Sequence, residues 1–314
     1  MVAFKPMTAP IHPPIPSLKD KLRGKFFVGL MYALSVLPLR INHALGTVFG
    51  WVSWWLPNKL RTITLQNLNI AYPQLNPAER TRLAKQSLIE LGKTTTELAP
   101  LWLWQPARLL KKVVDVRGLA LLEQAQQQGK GVMVLTPHFG AWELFSPYLA
   151  SKSAMTALYR PPRLSSLEAF SLRARERTGA TLVPTNARGV KALRKAFAEN
   201  QVSVILPDQD PGKSSGVYAD FFGFPTKTMT LASRLAQTAQ AAVLWGVAER
   251  LPKGRGYRIH FLPVNPAFTA PDELLAARAL NEGVEQCIAI APAQYMWSYK
   301  RYKSPPPGTP SPYI

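Results

Sequence analysis

Gly131-Val132-Met133-Val134-Leu135-Thr136-Pro137-His138-Phe139-Gly140-Ala141-Trp142-Glu143 carries a strand signal into a helix signal with a turn between them. The apolar run 131–135 reads as a buried strand, and 141–149 as the helix that follows. His138 and Glu143 would point to opposite faces of a regular strand and lie about 140° apart on a regular helix. They meet only if the chain turns between them, and Gly140 supplies the backbone freedom for that turn. An imidazole held against a carboxylate at a sheet edge is suited to taking a proton from a hydroxyl. The expected roles are therefore His138 as base and Glu143 as its orienter.

Outward from this stretch, strand and helix signals alternate. Strands are expected at 113–116, 155–159, 181–183, 202–206, 242–246 and 257–261, and helices at 118–128, 167–178, 187–199, 230–238 and 271–290. Such repetition implies an α/β fold, a mixed, largely parallel open sheet flanked by helices. Upstream, Asn76-Pro77-Ala78-Glu79 opens a helix expected over 76–103 with an N-cap, a first-turn proline and an N3 glutamate, and Pro100 interrupts its pattern.

Residues 1–25 read as a flexible, basic and proline-rich leader, 26–75 as a membrane-associated helical region, 76–303 as the α/β domain, and 304–314 as a proline-rich surface tail. The apolar run 26–38 is short of the ~20 residues that span a bilayer as one helix. A second run, 44–56, contains Trp51, Trp54 and Trp55. A single span, an interfacial hairpin, and helices packed on the protein's own core all fit these runs. No small-residue cleavage site follows, which argues against a signal peptide. The lone cysteine, Cys287, offers no disulfide and is expected to be buried in a helix.

The formal charge is +20, from 38 basic and 18 acidic side chains, which favours an anionic partner. Nucleic acid is not expected, because the aromatics cluster in the apolar N-terminal runs rather than along a basic groove. A basic membrane scaffold without catalysis is a further reading.

More residues gather at expected strand ends. Arg160 precedes two prolines on a stiff loop and can hold a phosphate or position the reacting groups, with Arg163 a weaker candidate. Asp208, Gln209 and Asp210 follow the strand at 202–206. Adjacent aspartates can bind Mg²⁺, but the simpler expectation is that Asp208 orients Arg160 or Arg188, with no metal and no cofactor. Lys213 is a candidate contact for a phosphate or an acidic protein, and Phe221-Phe222-Gly223-Phe224-Pro225 a candidate wall of an apolar channel. The basic cluster 299–303 is a candidate docking patch for an acidic protein.

His138-Phe139-Gly140-Ala141-Trp142-Glu143 resembles the HX4(D/E) motif of membrane-associated acyltransferases. Taken with the run 61–73, Tyr159-Arg160-Pro161-Pro162, Asp208-Gln209-Asp210-Pro211-Gly212 and Phe221-Phe222-Gly223, the chain resembles the late acyltransferases of lipid A biosynthesis, of the HtrB/MsbB lauroyl and myristoyl type. The phenylalanine-proline-glutamate-glycine signature of glycerolipid acyltransferases is absent. The resemblance implies a glycerolipid-acyltransferase-like fold and acyl transfer from acyl carrier protein to a hydroxyl, the 3-hydroxyl of an acyl chain, on a phosphorylated lipid A precursor. Acyl carrier protein, that precursor and anionic inner-membrane lipids are the implied partners. The implied location is the bacterial inner membrane, with the catalytic domain on its cytoplasmic face. An acyltransferase acting on another glycolipid is the nearest alternative.

Overall fold

The structure, a computed structural model, describes residues 17–162, 164–212 and 215–313. Five helices lead: α1 (Leu18–Ser35), α2 (Leu39–Trp55), α3 (Lys59–Ala71), α4 (Pro77–Leu103) and α5 (Pro106–Leu110). The expected flexible leader is corrected at its end, because Ser17 caps the Asp20 amide and starts α1 at Leu18. Residues 1–16 lie outside the described part. The Asn76/Glu79 capping box forms as read. Pro100 does not end α4: the helix runs on to Leu103, and the Trp104 amide donates to the Pro100 carbonyl at 3.0 Å. Pro100 itself is buried, so core packing offsets its missing backbone donor.

The alternating part follows as β1 (Val113–Arg117), α6 (Leu119–Gln127), β2 (Val132–Leu135), α7 (Trp142–Ala150), β3 (Met155–Tyr159), α8 (Glu168–Glu176), β4 (Ala180–Pro184), α9 (Ala187–Ala198) and β5 (Val202–Ile205). After it come β6 (Val217–Phe221), β7 (Phe224–Thr228), α10 (Leu231–Ala239), β8 (Ala242–Arg250), β9 (Tyr257–Pro263) and α11 (Glu273–Ile290). Seven strands form one sheet in the order β1-β9-β8-β2-β5-β3-β4, parallel throughout except between β8 and β9. This is the expected mixed, largely parallel α/β sheet. β2 and β5 are buried at every position, which accounts for their unbroken apolar runs. The antiparallel hairpin of β6 and β7 was not expected, since its threonines, Asp220 and Lys227 carry no clear apolar alternation.

Two apolar clusters fill the faces of the sheet, and α1, α2 and α3 pack on α4. α2 lies so close to α4 that a Cβ on Gly92 would stand 2.0 Å from the Gly46 carbonyl oxygen. The outer face of the first two helices keeps Phe26, Leu30, Val48, Trp51 and Trp55 exposed. No helix among the described residues is long and apolar enough to cross a membrane, which overturns the expected inner-membrane topology. The apolar runs are instead shared between a face packed on the protein and a face left open.

Candidate active site

β2 and β5 are neighbours in register, Leu135 opposite Ile205. His138 and Asp208 each lie three residues beyond that pair, so both emerge from the same end of the sheet. Asp208 takes the His138 amide on Oδ2 at 3.0 Å and the ring Nδ1 on Oδ1 at 2.8 Å. The ring therefore donates through Nδ1 and leaves Nε2 as an acceptor. The Gln209 amide nitrogen stands 3.2 Å from Nε2 and fills that position as a donor. Trp142 packs on the ring at 5.3 Å between centroids. Burial works against a charged Asp208, whose side chain is 2 % exposed, but its electrostatic and hydrogen-bonding interactions with His138 outweigh it and hold the carboxyl below its usual range. Tyr295, buried beside Asp208, has its phenol pushed well above the ordinary value, first by burial and then by that charge.

Glu143 does not reach His138. It occupies the first turn of α7 and accepts from Arg175 Nη2 at 2.5 Å, Arg175 Nε at 3.1 Å and Trp102 Nε1 at 3.1 Å. The Arg175 guanidinium also stacks over Trp102 and Tyr159. Burial pushes the Glu143 carboxyl upward, yet Arg175 and the Trp102 donor bring it net below its usual value. The expected pairing is thus corrected twice: Asp208, not Glu143, holds His138, and Asp208 orients neither Arg160 nor Arg188. The turn sends the two ends of the motif to different partners.

Gly140 makes that turn with φ at +54°, and a Cβ there would lie 2.2 Å from the Ala248 carbonyl oxygen. Its N–H donates to the Gln294 carbonyl at 3.0 Å, and its carbonyl accepts from Arg250 Nη2 at 3.1 Å. The Met296 amide donates to the His138 carbonyl at 3.0 Å. Behind this clamp, Arg250 pairs with Glu97 and with Glu90, while Glu97 also takes Tyr257 Oη at 3.0 Å and His43 Nε2 at 2.9 Å. Burial opposes ionisation of Glu97, but Arg250 above all and then His43 carry its pKa down to about 2. An ionic cluster from α2, α4, β8 and β9 therefore braces the Gly140 turn.

Arg160 is exposed at the end of β3, and Arg188 is exposed in the first turn of α9; neither forms an ion pair among the described residues. Arg163 and Lys213 lie outside the described residues. The FFG segment packs on other aromatic rings. Phe221 is buried against Tyr295 and Tyr302, while Phe222 packs on Tyr72 and Trp297. Nor is the run 299–303 a plain surface patch, since Arg301 is buried and donates to the Lys227 carbonyl, Thr228 and Asn281. Cys287 is buried in α11 as expected. Among the described residues, no group of three His, Cys, Asp or Glu side chains could hold a metal ion. Sequence reading missed Arg175, Trp102, Arg250 and Glu97. For Arg250 a signal existed, an arginine ending the otherwise apolar run 242–248.

A histidine held by a buried aspartate at the strand ends of an α/β sheet is an arrangement suited to activating a hydroxyl. The bacterial lipid A biosynthesis acyltransferase family matches residues 21–304, and the chain belongs to it. It is 30% identical over 290 residues to the lipid A biosynthesis palmitoleoyltransferase of Escherichia coli (strain K12), covering 92% of this chain and 94% of that protein. It is 26% identical over 287 residues to the lipid A biosynthesis lauroyltransferase of the same organism, covering 91% and 93%. The lipid A biosynthesis myristoyltransferase of that strain is 25% identical, covering 91% and 88%. The protein is thus an acyltransferase of lipid A biosynthesis.

Proposed function

We propose that the protein moves a fatty acyl group from the thioester of acyl carrier protein to the 3-hydroxyl of an acyl chain on a phosphorylated lipid A precursor. The observation that carries this reading is His138, fixed through Nδ1 by buried Asp208 with Nε2 left as acceptor. The acceptor hydroxyl takes the place of the Gln209 amide at Nε2. Nε2 removes its proton as the oxygen attacks the thioester carbonyl carbon. The tetrahedral intermediate collapses with loss of the C–S bond, and the imidazolium returns the proton to the departing thiolate. Ester and free carrier thiol are the products, and His138 is never acylated.

Asp208 keeps the ring in the productive tautomer and stabilises the imidazolium. Once displaced, the Gln209 amide is a donor close to the developing oxyanion. Glu143 acts through the backbone: bound to Arg175 and Trp102, it fixes the first turn of α7 and with it Trp142 beside the imidazole. Arg160, at the same sheet edge, offers its donor fork to an anionic group of either substrate. The charge of +20 suits both an acidic carrier protein and phosphorylated or otherwise anionic lipid. The scheme uses no cofactor.

The test is incubation of the purified protein with acyl carrier protein thioesters and an underacylated lipid A precursor, read by the mass of the acceptor. One added acyl group is expected, and its position by fragmentation must be a secondary ester on an acyl chain. No mass increase beside an active control, or an acyl group on a sugar hydroxyl, overturns the reading. Donors of graded length in the same assay define the chain preference, with each methylene worth roughly 0.8 kcal/mol of burial.

A further inference from the structure

The joint between α2 and α3 forms a cavity of about 840 Å³ well outside the His138 turn. Lys59, Thr62, Gln66 and Asn69 share the outward face of α3 and line it, while Thr64, Asn67, Leu68 and Ala71 face the core. Arg61 lines it from the same helix, and Lys300 closes it from the C-terminal segment. No carboxylate lines the cavity, and none of its three cations forms an ion pair among the described residues. Arg61 spends one nitrogen on the Trp54 carbonyl at 3.1 Å and stacks over that ring, which fixes the guanidinium without neutralising it. Asn58, Gln66 and Asn69 add amides that can read hydroxyl groups.

Directly across Leu56-Pro57 begins a second hollow of about 670 Å³, formed by the last turns of α2. Val48, Trp51, Val52, Trp55 and Leu56 make its walls almost wholly apolar. Basic cavity and apolar trough thus abut, and an occupant matching both has an anionic, hydroxylated head joined to hydrocarbon. α3 is also tied to the catalytic end. Asn67 donates to the Trp297 and Tyr299 carbonyls, Tyr299 Oη accepts from the Asp210 amide, and Met296 holds the His138 carbonyl.

We propose that this cavity seats a phosphorylated sugar of the acceptor lipid, with Lys59, Arg61 and Lys300 on the phosphate and the α2 trough along a hydrocarbon chain. The assignment rests on the acceptor reading given above and adds the residues that recognise its head. A concave cavity joined to an apolar trough through the consecutive residues Leu56 and Pro57 fits a lipid head, whereas an acidic carrier protein calls for a convex, dispersed basic face. Lys59 is exposed, and Lys300 is half-buried with its ammonium over the Tyr313 ring. Phosphate contacts of this kind depend on charge and are screened by salt.

The experiment separates binding from chemistry. His138→Ala protein, alone and with Lys59→Gln and Lys300→Gln added, is titrated with the bisphosphorylated lipid A precursor and with its dephosphorylated form in one neutral detergent. The double replacement is expected to weaken binding of the phosphorylated form by on the order of tenfold to a hundredfold, matching roughly 1–3 kcal/mol for charged hydrogen bonds. The dephosphorylated form should bind both proteins alike, and Lys59→Arg should restore most of the loss. Inorganic phosphate at millimolar concentration should displace the phosphorylated head only weakly. Equal loss for both lipid forms, or none for either, overturns the assignment. So does full competition by inorganic phosphate, or a loss seen only with phosphatidylglycerol vesicles. On the His138-containing protein, a raised KM for acyl carrier protein with an unchanged KM for the acceptor overturns it in favour of the carrier. Failure of acyl transfer with binding intact would instead break the reaction reading and leave the cavity's ligand standing.

Discussion

His138 and Glu143 belong to one motif, yet each end of the motif serves a different carboxylate chemistry. At His138 the carboxylate comes from beyond another strand, sits 2.8 Å from the ring, and is buried where it takes both the imidazole and the backbone amide of that one residue. At Glu143 the carboxylate is the motif's own and is spent on Arg175 and Trp102, which tie α7 to α8 and to the end of α4. One half orients an imidazole; the other anchors a helix. The comparison teaches that a spacing of polar residues identifies a turn before it identifies a pair.

The comparison breaks most sharply on activity. Asp208→Asn is expected to lower kcat by roughly 10²–10⁴, close to His138→Ala, because the wrong tautomer then faces the hydroxyl. Glu143→Gln should keep far more of kcat, while chemical denaturation records a loss of about 1.5–3 kcal/mol for the weakened charged hydrogen bonds. If Glu143→Gln abolishes turnover at unchanged stability, its anchoring role is wrong.

The ion cluster beneath the turn sharpens the same contrast on stability. Arg250→Met leaves Glu97 buried without its main counter-charge and should cost about 3–5 kcal/mol, whereas the joint change Arg250→Met with Glu97→Leu should recover much of it. Its pH dependence follows from the depressed Glu97. The unfolded carboxyl titrates near 4.5 and the folded one at about 2, so the stabilisation is complete above the former and fades as pH falls towards the latter. Denaturant midpoints between pH 6 and pH 3 should therefore fall in the wild type and fall less steeply in Glu97→Gln.

Gly140→Ala is the smallest change. A left-handed φ costs an L-residue about 1–2 kcal/mol, and the added methyl also meets the Ala248 carbonyl. Loss of kcat should exceed the loss of stability, since the displaced backbone carries His138. Equal losses would make Gly140 a plain structural glycine.

Much of the sheet was legible because β2, β3, β5 and β8 are apolar runs with helices between them. The hairpin of β6 and β7 was not, since its burial comes from tertiary contact with Asn281 and Arg301 and not from local alternation. His138 and Asp208 were both placed at strand ends, but their pairing depends on β2 lying beside β5, and strand order is not a local property. Arg175 carried no signal among the other arginines of its helix. Only Trp102 and the turn together reveal what Glu143 needs. For the apolar N-terminal runs a span, an interfacial hairpin and packed helices all fitted the sequence, and what decides is the close packing of one face that Gly46, Gly50 and Gly92 allow.

The clamp on Gly140 and His138 is built from Arg250, Gln294 and Met296, all far downstream of the turn they hold. Chains are synthesised from the N-terminus, and each part folds as its partners emerge. The base is therefore laid down long before the residues that fix it, and β2 waits for β8 to cover one of its edges. A chain unfinished short of Arg250 carries the whole motif without the clamp that holds it.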